Sequence, residues 1–298
     1  MITREKIEFV SHGKTLRGEL FKPESKTAHD LPGVVLAHGW GMTAGGNLAD
    51  YANVIASRNI IAMTFDFRNL GNSDGLPRQD LNPYDQIEDF RNAVAFMSTL
   101  EFVDPRRIGV WGSSYSGGHA LVLGAVEPLV KCVVSQVPTI DGTRAAQITL
   151  RPKAIMEQQQ WFAEDRQNVL KGMNPRLVKS VSLDKSEWVV FGGKDAYEFM
   201  MNDGQRSFTW RNETTLRSLE WARAYIPGSF ISRIAPKPLL MIIADNDGTT
   251  PTSLQLEAFE QALEPKKLKI ISGGHYAPYV DQFTKSSSAA ADWFEEHL

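Results

Sequence analysis

The sequence predicts an α/β protein with a mostly parallel, doubly wound sheet and an inserted, mainly helical cap. Three observations lead there. Short apolar runs alternate with stretches of helical periodicity. The alternation stops for about a hundred residues and then resumes. The interval between is rich in tryptophan and phenylalanine and carries helical patterns of its own.

The elements follow in order. Ile7 and Phe9, then Leu16 and Leu20, alternate around Ser11-His12-Gly13-Lys14 and read as an antiparallel hairpin. GVVLA at 33–37 is a buried strand, and Leu48, Tyr51, Ala52, Ile55 and Ala56 mark the helix after it. IIAMTF at 60–65 is the next strand, and Ile87, Phe90, Val94 and Met97 mark the next helix. RIGVW at 107–111 is a strand, a helix leaves from Gly117 and Gly118, and KCVVS at 131–135 is a strand. After the break come the strand PLLMIIA at 238–244, a helix around Leu256 and Phe259, the strand KLKII at 267–271 and a terminal helix in SSSAAADWFEEHL.

The interval holds helical stretches in TLRPKAIMEQQQWFAEDRQNVL and ETTLRSLEWARAYI, and WVVFGG at 188–193 is a short run that also suits a strand. It contains Trp161, Trp188, Trp210 and Trp221, with Phe162, Phe191, Phe199 and Phe208. The expected organisation is a core of residues 1–139 and 233–298, with a helical cap of residues 140–232 inserted before the strand at 238–244.

Composition excludes several classes. The chain has 298 residues, 42% hydrophobic and 22% charged, as in an ordinary globular protein. A formal charge of −3 carries no footprint for nucleic acid, and no basic run suggests a membrane surface. The opening MITREKIEFV reads as neither signal nor transit peptide, so a soluble, cytoplasmic protein is expected. Cys132 is the only cysteine, which rules out an intrachain disulfide and a thiolate-rich metal site; in VKCVVS it reads as a buried structural thiol.

In an open parallel sheet, ligands bind beyond the carboxyl ends of the strands, so the chemistry is sought in the loops there. After RIGVW comes Gly112-Ser113-Ser114-Tyr115-Ser116-Gly117-Gly118, the strand–turn–helix context of a nucleophile elbow, G-x-S-x-G, with Ser114 at its centre. Ser116 stands where the last glycine usually does. Ser113 and Ser116 are rival nucleophiles, but Ser116 lacks the leading glycine and falls inside the helix.

A serine needs a base to take its proton, and a neutral histidine suits that near pH 7. His275, in KLKIISGGHYAP, lies just past the last strand on a glycine-rich loop. His119 sits on the helix after the elbow and should turn away from Ser114. His12, His29 and His297 fall in a turn, a linker and a terminus. The imidazole in turn needs an acid to fix its tautomer. IIADNDGTTP offers Asp245 and Asp247; Asp245 at the strand end suits a turn cap, and Asp247 has the better reach. The expected order is Ser114, Asp247, His275. Donors for an oxyanion are expected from the backbone N–H groups of Trp40, in LAHGWG, and of Tyr115. His38 reads as a loop-shaping residue and Arg68 as structural. No metal motif or dinucleotide fingerprint appears, so no cofactor is expected.

With these residues assembled, the chain resembles the α/β-hydrolase superfamily over nearly its whole length. VWGSSYSGGHAL, TLRSLEWARAYIPGSFISRIAPKPLLMI and GGHYAPY are similar to the dienelactone-hydrolase-like group, which includes fungal polyketide transferases and thiohydrolases. The resemblance implies the α/β-hydrolase fold and acyl transfer from a small-molecule ester or thioester, through an acyl-serine, to water or an alcohol. An acyl-carrier domain or an alcohol acceptor would be its partner. Dienelactone hydrolases proper carry a cysteine where this chain has Ser114. Two other classes use the same scaffold: a cofactor-independent carbon–carbon or lactone hydrolase, and a ligand-binding protein without turnover.

Overall fold

The computed structural model describes residues 2–24 and 30–298. His29, placed in a linker above, lies outside the described residues.

The predicted hairpin is β1 (Ile2–Ser11) paired antiparallel with β2 (Lys14–Pro23), with Ile7 opposite Gly18 and Phe9 opposite Leu16. Ile7, Phe9, Leu16 and Leu20 are buried, while Arg4, Glu5, Lys6 and Glu8 leave this edge of the sheet charged. The alternation then runs β3 (Leu31–Ala37), α1 (Asn47–Ala56), β4 (Ile61–Phe65), α2 (Pro83–Met97), β5 (Val103–Ser113), α3 (Tyr115–Val126) and β6 (Val130–Gln136).

The interval that follows folds as α4 (Gly142–Thr149), α5 (Pro152–Leu170), a strand pair β7 (Leu177–Val178) and β8 (Thr214–Thr215), α6 (Lys194–Ser207) between them in sequence, and α7 (Leu216–Ala224). A 3₁₀ turn at Pro227–Arg233 leads back to β9 (Leu239–Ala244), α8 (Thr252–Gln261), β10 (Lys266–Ile271) and α9 (Phe283–His297).

Among the described residues the main sheet has eight strands in the order β1-β2-β4-β3-β5-β6-β9-β10, parallel from β4 onward. Its strands read as continuous apolar runs because both faces are covered. Val34, Leu36, Leu240 and Ile242 pack toward α1 and α9, where Tyr51, Ile55 and Phe294 are buried. Val35, Ala37, Met241 and Ile243 pack the other way, toward Phe90 and Val94 of α2, Leu121 of α3 and Leu254 of α8. The cap joins this second layer through Phe162, Leu216, Leu219 and Tyr225. Cys132 is buried in the first layer, as expected.

Two cap elements differ from the sequence reading. The helix expected over 149–170 is split at Leu150 and Arg151, both extended, because Pro152 lacks an N–H and disfavours helical geometry before it. WVVFGG forms no strand: Val189 makes an isolated bridge to Lys179, and Gly193 at φ 105° turns the chain into α6. No described helix is long and apolar enough to cross a membrane.

Candidate active site

β5 ends at Ser113 and α3 begins at Tyr115, so Ser114 alone makes the turn, at φ 56° and ψ −115°. A residue with a side chain in that region costs on the order of 1–3 kcal/mol and persists only where its surroundings hold it. Here the Ser114 N–H donates to the Gln136 carbonyl at 2.9 Å, and the Ser114 carbonyl accepts from Thr139 N–H at 2.9 Å. Gly112 is required for close approach, since a Cβ there would collide with the Ser116 carbonyl.

The loop after β10 brings His275 to the same spot. Its Nε2 lies 3.0 Å from Ser114 Oγ, and its Nδ1 lies 2.7 Å from Asp247 Oδ2 on the loop after β9. A carboxylate only accepts, so Nδ1 carries the proton and Nε2 is left to accept from the serine hydroxyl. Asp247 Oδ1 accepts from the N–H groups of Thr249 and Thr250, both at 2.8 Å, while the Thr250 hydroxyl is 2.9 Å from Oδ2. Burial pushes the Asp247 carboxyl up, but the His275 imidazole and these donors outweigh it and hold the group below the usual carboxylate range.

Asp245 does something else. It is exposed, and its Oδ1 accepts from Gly273 N–H at 2.8 Å, bracing the β9 loop against the loop that carries His275. The signal that separates the two acids is local: Asp247-Gly-Thr-Thr is an Asx turn, with the acid two and three residues before its donors.

The rival serines are engaged elsewhere. Ser113 hydrogen-bonds the Tyr279 hydroxyl and accepts from the Gln136 amide, whereas the hydrogen bond of His275 Nε2 is to Ser114. Ser116 donates to the His38 carbonyl and so ties α3 to the loop after β3. That bond accounts for serine in place of the last elbow glycine, a role sequence reading missed. Ser116→Ala would leave a buried carbonyl without its donor, and a loss of about 1–3 kcal/mol is expected in urea unfolding. Its effect on turnover should be far smaller than that of removing Ser114.

The same tie holds the loop after β3 against the elbow. A Cβ on Gly39 would sit 3.1 Å from Ser114 Cβ and 3.7 Å from Oγ, so Gly39 passes beside the hydroxyl, and Trp40, the next residue, lines both cavities that Ser114 lines. Tyr115 is the first residue of α3, and its N–H has no partner inside the helix. His38 is buried, with Nδ1 3.0 Å from the Gly39 carbonyl; burial pushes its pKa down to about 4 despite that contact. His119 turns away from Ser114 to Tyr225 and Gln86, at 2.8 and 3.0 Å. Arg68 is a structural cation, paired with buried Asp89.

Two cavities meet at Ser114. A narrow arm of about 50 Å³ runs past His275, Asn47 and Phe199 toward α1 and α6. A wide arm of about 480 Å³ opens beneath the cap, with Trp188, Leu219 and Leu254 in its walls. Trp40, Ser114 and Phe191 line both. Of the tryptophans and phenylalanines named above for the cap, Trp188, Phe191 and Phe199 face these cavities. The others do not: Trp161 stacks edge-on behind Trp188, Trp210 covers Gly204, Arg217 lies over Trp221, Phe162 is buried in the core and Phe208 is exposed.

A strained serine after a parallel strand, a histidine and acid on the two following strand-end loops, and a roofed cleft define an α/β enzyme of hydrolytic type. The model of the alpha/beta hydrolase fold matches residues 32–282, and the chain belongs to that family. It is 27% identical over 276 residues to the quorum-quenching protein AidA of Acinetobacter baumannii, covering 93% of this chain and 89% of that one. It is 30% identical over 272 residues to a thiohydrolase of Aspergillus aculeatus, covering 90% and 84%. The polyketide transferase GrgF of Penicillium is 30% identical over 303 residues, covering 100% and 98%. The crystal structure of GrgF superposes with a TM-score of 0.85 at 25% identity over 99% of each chain.

Proposed function

We propose that this protein is a serine hydrolase and acyltransferase that cleaves carboxylic esters or thioesters through an acyl-Ser114 intermediate. The observation that carries the reading is the unbroken chain Asp247–His275–Ser114, at 2.7 and 3.0 Å, on the floor of a roofed cavity. Ser114 Oγ attacks the substrate carbonyl carbon while His275 Nε2 takes its proton. The oxyanion accepts from the N–H groups of Trp40 and Tyr115. Collapse breaks the bond to the leaving oxygen or sulfur, which receives the proton from His275 and departs as alcohol or thiol. Water or an alcohol then attacks the acyl-serine, again losing its proton to His275. A second collapse returns that proton to Ser114 and releases acid or ester. The names of the thiohydrolase and polyketide transferase relatives support a thioester donor and transfer of a polyketide-type acyl chain.

The narrow arm is too small for a long chain, so an acyl group of six or more carbons belongs in the wide one. Each buried methylene is worth up to about 0.8 kcal/mol. Four of them are worth roughly 3 kcal/mol, a little over a hundredfold. Acyl groups of about C6 and longer are therefore expected to exceed acetyl in kcat/KM by one to two orders. A bound acyl group that fills the arm beneath the roof would limit the access of water to the acyl-serine, which favours an alcohol acceptor. The check is a C2 to C12 series of p-nitrophenyl esters and thioesters, with and without an alcohol acceptor. A preference for acetyl with steep decline beyond C4 would leave a small-ester hydrolase instead.

A further inference from the structure

The wide arm has hydroxyl groups on its core side, from Ser114, Thr139, Thr249 and Thr250, and on its cap side α7 presents the cation Arg223 beside Gln158 of α5. Arg223 Nη2 donates to Gln158 Oε1 at 3.0 Å. Gln158 is itself buried, and among the described residues no carboxylate pairs with Arg223. That sets it apart from its neighbours: Arg217 is matched by Asp80, Arg144 by Glu257 and Arg166 by Glu220. Glu187, the acid on this cavity's wall, is taken up by Lys179 and Ser182. A guanidinium drawn out of water without a counter-charge is costly, and burial pushes its pKa down with nothing nearby to raise it. The backbone that carries it is closely packed. Gly142, at the start of α4, lies so close that a Cβ there would run into the Ala222 carbonyl beside Arg223.

We propose that the wide arm takes a substrate bearing a carboxylate or phosphate, and that Arg223 receives that anion while Ser114 receives the acyl carbon. The inference rests on Ser114 as the reacting group and adds a requirement on the rest of the substrate. The guanidinium fork suits both anions, which accept two N–H groups on two oxygens, and Gln158 holds it through Nη2. An apolar chain would then lie between the two polar ends, along Trp188, Leu219 and Leu254. The anion has two sources: the far end of an ω-carboxy acyl chain, or the phosphates of a pantetheine-type thiol.

Binding of unreactive thioether analogues, in which a methylene replaces the scissile carbonyl, separates this from the chemistry at Ser114. Calorimetry would compare two pairs: an ω-carboxy C7 chain with its ω-carboxamide, and a hexyl chain on coenzyme A with the same chain on N-acetylcysteamine. A charge-assisted pair of hydrogen bonds predicts at least a tenfold tighter Kd for the anionic member of one pair, and which pair shows it names the source. Arg223→Gln should reduce that ratio to within about threefold of unity, and Arg223→Lys should restore part of it, a pattern that general loss of packing would not produce. Equal or undetectable binding in both pairs, or a preference that survives Arg223→Gln, would overturn the proposal. Failure of the acyl-serine reading shows separately, as turnover retained without Ser114.

Discussion

Ser114→Ala is expected to abolish turnover while the protein stays folded. Removing the nucleophile of a serine triad costs on the order of 10⁶ in kcat. What survives is the contribution of binding and the oxyanion donors. The fold should tolerate the change, because alanine keeps the Cβ and the backbone bonds to Gln136 and Thr139 that hold the turn are untouched. The hydroxyl lost is half-buried and has His275 as its partner, so little packing goes with it. Initial rates on the preferred acyl ester, with circular dichroism and a melting curve on the same preparation, check both halves. Turnover within tenfold of the parent would exclude an acyl-Ser114 route. Loss of structure instead would show that the residue's main role is in the turn.

Asp247→Asn is expected to lower kcat by about 10⁴, and the hydrogen bonds explain why so conservative a change is so costly. Oδ1 must still accept from Thr249 and Thr250 N–H, so the asparagine carbonyl is fixed there and its NH₂ faces His275. The ring then accepts at Nδ1 and carries its proton on Nε2. A protonated Nε2 cannot take the serine proton. Asp245→Asn keeps an acceptor for Gly273 N–H and should cost much less. Rates for the two variants on one substrate settle the comparison, and a reversed order would move the acid to Asp245.

Much of this site was legible in the chain because its parts are local. The elbow is a run of seven residues, and its neighbours in sequence, Gly112 and Gly117, are those that make its turn possible. His275 announces itself by standing just after an apolar strand. The cap was harder. Its helices at 152–170 and 216–224 could be read from their patterns, but α4 and α6 were missed. α4 is short and buries only the small residues Gly142 and Ala146, and α6 carries a glycine and several polar residues within its length. The aromatic count pointed to a roof without saying which rings form it. Trp161 and Trp188 look alike in sequence, yet one lies behind the other.

The sequence by itself determined the strand–helix alternation, the break that holds the cap and the order of the serine, acid and histidine loops. These depend on the period of apolar residues and on turn chemistry, which act over a few neighbouring positions. Tertiary structure decided which side chains meet. Asp247 rather than Asp245 faces the imidazole, Ser116 anchors the His38 loop, and Arg223 in the wide arm meets Gln158 and, among the described residues, no carboxylate. Such choices turn on distances of a few ångströms between residues far apart in the chain, 161 positions in the case of Ser114 and His275. Hydrogen bonds and ion pairs fall off over that same range, so only the folded chain assigns their partners.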